Sequence, residues 1–333
     1  MFNKNNIILI LASVSLIFTG YIGYLQYKKY YPKVSVILTT YNAEKYVDSV
    51  IPMFLQSELD DFELVVIDDQ SSDKTWNMLQ EWKKEDGRIR IYRNAKNLGI
   101  CGNRNRGLEL ARGKYIAMMD PDDISLPRRL KVSAEYLDAH PETDVVEVDT
   151  ILKLDYERGI KNKRAHVFDY VLSRLNKSTD VYTEAEKDEN IKLGLLFSLA
   201  VPTHSASMMR KEFLDKHNIH YNKNVIADDY YLYLDMVKAG AKFHHIPEIL
   251  AIYNDTPHHS DTFNQRQYDE TQAAKRELYN WVGLDYSLYE PLEKDLSEQQ
   301  FVCLLLKDLI PVNQKSHRFS EALLQKDYHL LCE

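Results

Sequence analysis

Tyr115-Ile-Ala-Met-Met-Asp-Pro-Asp-Asp-Ile124 constrains this chain more than any other stretch. An apolar run of strand formers meets Pro121 and three carboxylates, Asp120, Asp122 and Asp123. The segment therefore reads as a buried strand ending in a turn. In an open α/β sheet, ligands bind outside the carboxyl ends of the strands. Carboxylates one residue apart in an extended turn can share one hard cation, and Mg²⁺ takes one or two carboxylates together with substrate phosphates. The local alternative is that Asp120 and Asp123 cap the turn and the helix at Pro127.

The flanking sequence repeats an alternation of strands and helices. Val34 to Thr40 and Phe62 to Asp68 are predicted strands, and Ile89 to Tyr92 a short third one. Ala43 to Gln56 has helical spacing of Val47, Val50, Ile51, Phe54 and Leu55, with Asn42 as its N-cap. Thr75 to Lys84, Asn103 to Arg112 and Pro127 to Ala139 are further helices, and Val145 to Val148 another strand. Such alternation implies parallel pairing in a doubly wound, mostly parallel, Rossmann-like sheet. Lys153 to Asn190 reads as an irregular insertion with one helix over Phe168 to Leu175. Order returns with a strand at Ser205 to Met209, a helix at Asp228 to Ala239, and strands at Phe243 to Ile246 and Ile249 to Tyr253. The later tail is helical over Gln299 to Ile310 and Ser320 to Leu331.

Asn5 to Tyr27 carries no charge. Its apolar run of roughly 20 residues is long enough to cross a bilayer core. A cleaved signal peptide is the rival reading, but no small-x-small cleavage site follows. The expected organisation is a membrane anchor with its flank over 1–31, a catalytic domain over 32–255 and a partly helical C-terminal extension over 256–333. The domain divides into a nucleotide half (32–150) and an acceptor half (151–255). Lys28, Lys29 and Lys33 follow the apolar run, which favours a single-pass protein with a cytoplasmic catalytic part. A net charge of −8 argues against a nucleic-acid binder. Cys101, Cys303 and Cys332 show neither metal-ligand spacing nor a disulfide framework, which suggests a reducing compartment.

Parallel pairing brings Thr39-Thr40-Tyr41-Asn42, Asp68-Asp69-Gln70-Ser71-Ser72-Asp73 and Asp120-Pro-Asp-Asp123 to one sheet edge. Asn97-Leu-Gly-Ile-Cys-Gly-Asn-Arg-Asn-Arg-Gly107 lies between the second and third of these in sequence. Its glycines permit close backbone approach, and Arg104 and Arg106 suit a phosphate or carboxylate. It is neither a Walker loop nor a dinucleotide fingerprint. Acidic turns opposed by arginines suit a diphosphate held through a divalent cation. With Val34-to-Asn42, Val66-to-Asp73, Asn97-to-Ile116 and Met119-to-Asp123 in this order, the sequence from Pro32 to Tyr253 resembles the inverting family 2 glycosyltransferases of the GT-A fold.

That resemblance implies roles for particular residues. Thr40 and Tyr41 would line the nucleotide pocket, Asp68 would read the base, most often uracil, and Arg104 would sit near the diphosphate. Asp120 would contact the ribose or metal region, with Asp122 as principal ligand to Mg²⁺ or Mn²⁺. Gln70 stands where the family has Gly or Asn. The acidic pair in Ala227-Asp-Asp-Tyr230 would supply the general base, Asp229; the alternative is an N-cap, which only one of the two can be. His204 either positions a sugar or is structural, and His258 and His259 depart from the family's spacing. The expected activity is metal-dependent transfer of a sugar from a nucleoside diphosphate sugar, UDP-linked, to a hydroxyl of a glycan or lipid-linked acceptor, with inversion. The competing readings are a nucleotidyltransferase-like binder, which would carry a Gly-rich basic loop where Thr39-Thr-Tyr-Asn-Ala43 stands, and a catalytically degenerate membrane scaffold.

Overall fold

The structure is a computed structural model. It describes residues 31–152, 204–222, 225–226, 228–254, 261–289, 291–292, 298–316, 324–325 and 332. The anchor segment, the whole insertion Lys153 to Asn190 with its expected helix over Phe168 to Leu175, most of Ser320 to Leu331, His258 and His259 lie outside the described residues. Among the described residues no helix is long and apolar enough to cross a membrane.

An eight-stranded mixed sheet runs in the order β3-β2-β1-β4-β7-β6-β8-β5. Its strands are β1 (Val34–Thr40), β2 (Phe62–Asp68), β3 (Ile89–Arg93), β4 (Tyr115–Met119), β5 (Ile124–Ser125), β6 (Val145–Leu152), β7 (Ser207–Arg210) and β8 (Phe243–Tyr253). β3, β2, β1 and β4 are parallel, as the strand–helix alternation requires. Past β4 the sheet is mixed: β7 is antiparallel to both β4 and β6, β6 and β8 are parallel, and β5 is antiparallel to β8, which leaves the sheet mostly parallel as expected. The two short strands expected over Phe243 to Tyr253 are one strand. Pro247, which has no N–H to give a ladder, lies between Ile246 and Ile249 where the pairing with β6 shifts register.

Period-two alternation sends Val36, Leu38, Leu64, Val66 and Ala117 into one core and Ile37, Val65, Ile67 and Met118 into the other. Helices α1 (Glu44–Leu55), α2 (Thr75–Glu85) and α4 (Arg129–Ala139) contribute apolar residues to the first core. Helices α3 (Gly99–Leu110), α5 (Lys211–His217), α6 (Asp228–Lys238), α7 (Asp261–Val282) and α8 (Glu298–Ser316) contribute to the second. Leu278, Tyr279, Leu305 and Leu309 share that core with Tyr230 and Met236, so α7 and α8 contribute to the same core as α6.

α3 starts one turn before its expected position and crosses the sheet closely. A Cβ on Gly107 would lie 2.4 Å from Ile37 Cγ2. Asn42 is not the N-cap of α1: it takes a left-handed backbone, φ 49°. Its Oδ1 instead accepts from the Ser72 amide at 2.9 Å. The α1 start is held by the β2–α2 turn, where Thr75 Oγ1 and Asp73 Oδ2 accept from the amides of Ala43 and Glu44. Cys303 and Cys332 are paired in a disulfide, Cα–Cα 5.5 Å. That corrects the reading that the cysteines show no disulfide framework, and with it they no longer point to a reducing compartment.

Candidate active site

Strand register assembles the site. Thr40 is level with Asp68 across β1 and β2, and Leu38 with Met119 across β1 and β4, so the three polar strand ends sit side by side. They open onto a cleft of about 630 Å³, within the range of small-ligand sites. Thr39, Thr40, Tyr41, Asp69, Asn97, Gly99 and Ile100 form one part of its lining. Asn103, Arg104, Asp120, Pro121, Asp122, Asp123, Tyr253 and Asn254 form the rest. Tyr41 and Ile100 are 56% and 49% exposed, which gives the cleft apolar faces suited to a planar ring.

The structure corrects the assignment at the end of β2. Asp68 is fully buried and absent from the cleft lining; its carboxylate accepts from the Ser71 amide at 3.3 Å and pairs with Arg93 Nε at 3.1 Å. Asp69 faces the cleft instead. Its Oδ1 accepts from Asn94 Nδ2 at 2.7 Å and the Leu98 amide at 2.8 Å, and its Oδ2 from the Gly99 amide at 2.9 Å. Asp69 thus fixes the entry of α3 against the strand ends. Gln70 has φ 65°, a left-handed conformation that explains why Gly or Asn suits this place. Thr40 lines the cleft as expected and donates its Oγ1 proton to the Ile67 carbonyl at 3.3 Å.

Arg104 lies at the centre. It is 4% exposed and spans two carboxylates, donating from Nη2 to Asp120 Oδ1 at 2.7 Å and from Nη1 to Asp228 Oδ2. Burial opposes ionisation of Asp120, yet the Arg104 charge holds its carboxyl below the ordinary range. Arg106 is excluded from the cleft: it pairs with Glu109 at 2.9 Å on the exposed side of α3. Behind Asp120, Ser205 Oγ accepts from the Asp120 amide at 3.1 Å, and Asp123 Oδ1 accepts from the Asn254 amide at 2.9 Å. His204 is buried with Nε2 2.5 Å from the Tyr221 hydroxyl; burial, reinforced by Arg104, pushes its pKa down to about 3. A neutral ring there is a structural contact, outside the cleft lining.

The acidic pair opens α6, and its two members differ. Asp228 is spent on Arg104. Asp229 is partly buried, with Oδ1 accepting from the Tyr230 amide at 2.8 Å. Burial, and next the neighbouring Asp228 charge, push its pKa up to about 6. Among the described residues no group of three or more His, Cys, Asp or Glu side chains could cage a metal. Asp122 and Asp120 nevertheless line the same cleft with hard oxygen donors, and Asp120 is held ionised. A cation arriving with phosphates needs no more than that from the protein.

Thr39, Asn97, Asn103, Tyr253 and Asn254 belong to the cleft, although none of them drew a role of its own from the sequence. For Thr39 and Asp69 a signal existed: they continue the alternation of Ile37 and of Val65 and Ile67, on the face that α3 covers.

An α/β sheet whose strand ends carry an acidic turn, a central arginine and an acidic helix start defines a group-transfer enzyme of the GT-A-like class. Glycosyl transferase family 2 matches residues 35–217, and the chain belongs to that family: it is a glycosyltransferase. An uncharacterized glycosyltransferase of Haemophilus influenzae is 30% identical over 264 residues, 76% of each chain. Two solved structures share the fold. S. aureus TarS 1–349 in complex with UDP-GlcNAc has a TM-score of 0.53 at 17% identity, covering 90% of this chain and 89% of that one. The mannosyltransferase PcManGT from Pyrobaculum calidifontis, in complex with GDP-Man and Mn2+, has a TM-score of 0.54 at 14% identity, covering 90% and 87%.

Proposed function

We propose that this glycosyltransferase moves a sugar from a UDP-linked donor to a hydroxyl of a glycan or lipid-linked acceptor, with inversion. The carrying observation is the Arg104 bridge. One guanidinium ties Asp120, at the donor strand end, to Asp228, at the start of the helix that bears Asp229. The donor strand end is thereby tied to the start of the helix that carries the base, although Asp228 and Asp229 themselves stand outside the cleft lining.

In this reading the nucleobase lies between Tyr41 and Ile100, with Asp69 rather than Asp68 at its edge. The Arg104 charge stabilises the diphosphate as it departs. Asp229 takes the proton of the acceptor hydroxyl, and that oxygen attacks the anomeric carbon from the face opposite the leaving group. A pKa near 6 leaves Asp229 ionised at neutral pH and more basic than an ordinary aspartate. Asp122, aided by Asp120, would hold Mg²⁺ or Mn²⁺, which supplies charge neutralisation at the diphosphate. The neutral stretch Asn5 to Tyr27 supports attachment to a membrane, with the lysines after it on the cytoplasmic side. A lipid-linked acceptor would lie at that surface.

The test is release of nucleoside diphosphate from UDP-glucose, UDP-galactose, UDP-GlcNAc and GDP-mannose by the full chain, with and without EDTA. Turnover of a UDP-sugar that EDTA and Asp122→Ala abolish supports the reading. Turnover of GDP-mannose alone sinks the uridine assignment, and full turnover in EDTA removes the metal.

A further inference from the structure

The segment that leads into α6 has to be fixed from outside, because it precedes the helix and has no ladder of its own. Two residues supply grips, one from α3 and one from α7. Cys101 Sγ, at the start of α3, donates to the Val225 carbonyl at 3.1 Å. Burial pushes the Cys101 thiol up to about 12, so it keeps the proton it donates. The Ile226 amide in turn donates to Oε2 of Glu270, on α7. Glu270 is itself held: its Oε1 accepts from Arg266 Nε at 2.8 Å, and its side chain is 15% exposed.

Helix α7 braces α6 at further points. The Tyr231 hydroxyl donates to the Glu270 carbonyl at 3.4 Å, and Lys238 pairs with Glu277. Ala274, Leu278 and Tyr279 share a core with Tyr230, Tyr233 and Val237. The Glu270 carboxylate grips the chain at Ile226, two residues before Asp228. A charge-assisted bond to a backbone amide is short and directional, so it fixes the loop in position as well as in proximity.

We propose that Glu270, in the C-terminal extension, is a positioning residue: by holding the Ile226 amide it sets the position of Asp229 at the start of α6. The inference rests on the reading of Asp229 as the base. A base displaced by about 1 Å can cost on the order of 10²-fold in rate without disturbing donor binding.

The test uses the full chain and whichever UDP-sugar it hydrolyses fastest. Glu270→Ala is expected to lower kcat by about 10–100-fold while KM for the donor and the Kd for UDP stay within about twofold. Hydrogen exchange in the peptide spanning Val225 and Ile226 is expected to quicken. Glu270→Gln keeps an acceptor oxygen and is expected to restore most of the rate. Glu270→Asp keeps the charge but withdraws it from the amide, and is expected to behave like Ala even if Ala fails to fold. A normal kcat in Glu270→Asp, unchanged exchange at Ile226, or weakened UDP binding overturns the proposal. Asp229→Asn is measured alongside. If it is inactive while the Glu270 variants are active, this inference alone fails; if it is fully active, the base assignment fails first.

Discussion

Arg104 is ion-paired to Asp228 deep in the protein, each side chain 5% exposed, and this pair joins the cleft that Arg104 lines to the start of α6. The same guanidinium reaches Asp120 at 2.7 Å. A planar fork serves two carboxylates at once; an ammonium on a flexible stem is a point charge and cannot copy that geometry. Arg104→Lys is therefore expected to lower kcat/KM by about 10²-fold. Arg104→Ala strands two carboxylates and is expected to cost about 3–5 kcal/mol of stability in a urea titration. Unchanged stability in Arg104→Ala would show that the pair is not a structural joint.

The reassignment from Asp68 to Asp69 separates two adjacent carboxylates by function. Asp69 lines the cleft and holds the amides of Leu98 and Gly99. Asp69→Ala is expected to weaken UDP binding by about tenfold or more in calorimetry, because each buried acceptor bond to an amide carries about 1.5–3 kcal/mol. Asp68→Asn is expected to leave UDP affinity close to normal. The opposite ranking would return the base-reading role to Asp68.

The sequence made the nucleotide half legible because its strands are buried on both faces and its helices are amphipathic, so β1, β2 and β4 and most helix bounds follow from periodicity. Which of Asp68 and Asp69 faces the cleft depends on the sheet face that α3 covers, and that is a tertiary fact. The partner of Asp228 was invisible for the same reason: Arg104 is 124 positions away. Helix α7 escaped notice because only its second half shows the spacing of Ala274, Leu278, Tyr279 and Val282. Its first half, Asp261 to Glu270, is almost wholly polar. The strand at β7 was legible but its antiparallel direction was not, because direction there is set by tertiary packing, which leaves no local mark in Ser207–Arg210.

His245 offers a stability measurement independent of catalysis. Its Nε2 lies 2.9 Å from Asp149 and its Nδ1 3.8 Å from Glu147. Burial alone would lower its pKa, but the two carboxylates push it up to about 10 from 6.5. The folded protein thus holds a proton that the unfolded chain releases near pH 6.5. The stabilisation is complete below that pH and is lost as pH rises through about 10. Tm is expected to fall across this window, and His245→Gln to flatten the fall. An identical slope in the variant would place the titrating group elsewhere.

The sharpest measurement divides the acidic pair of α6. Asp229 has its pKa raised to about 6 by burial and by the Asp228 charge, against the pull of Arg104. A base must be unprotonated to work, so kcat is expected to be full above pH 7 and to fall as pH drops through about 6. Asp229→Asn keeps an oxygen for the Tyr230 amide and, at a helix start, Asn serves about as well as Asp. Fold and UDP affinity are therefore expected to survive while turnover drops by roughly 10²–10⁴. Asp228→Asn removes the charge that pairs with Arg104, so its expected signature is a lower Tm and weaker donor binding. If Asp229→Asn keeps its turnover and Asp228→Asn does not, the proton acceptor is Asp228 and the Arg104 pair must open during the reaction. If both keep it, the pair only starts the helix, and the acidic limb of the rate profile belongs to another carboxylate.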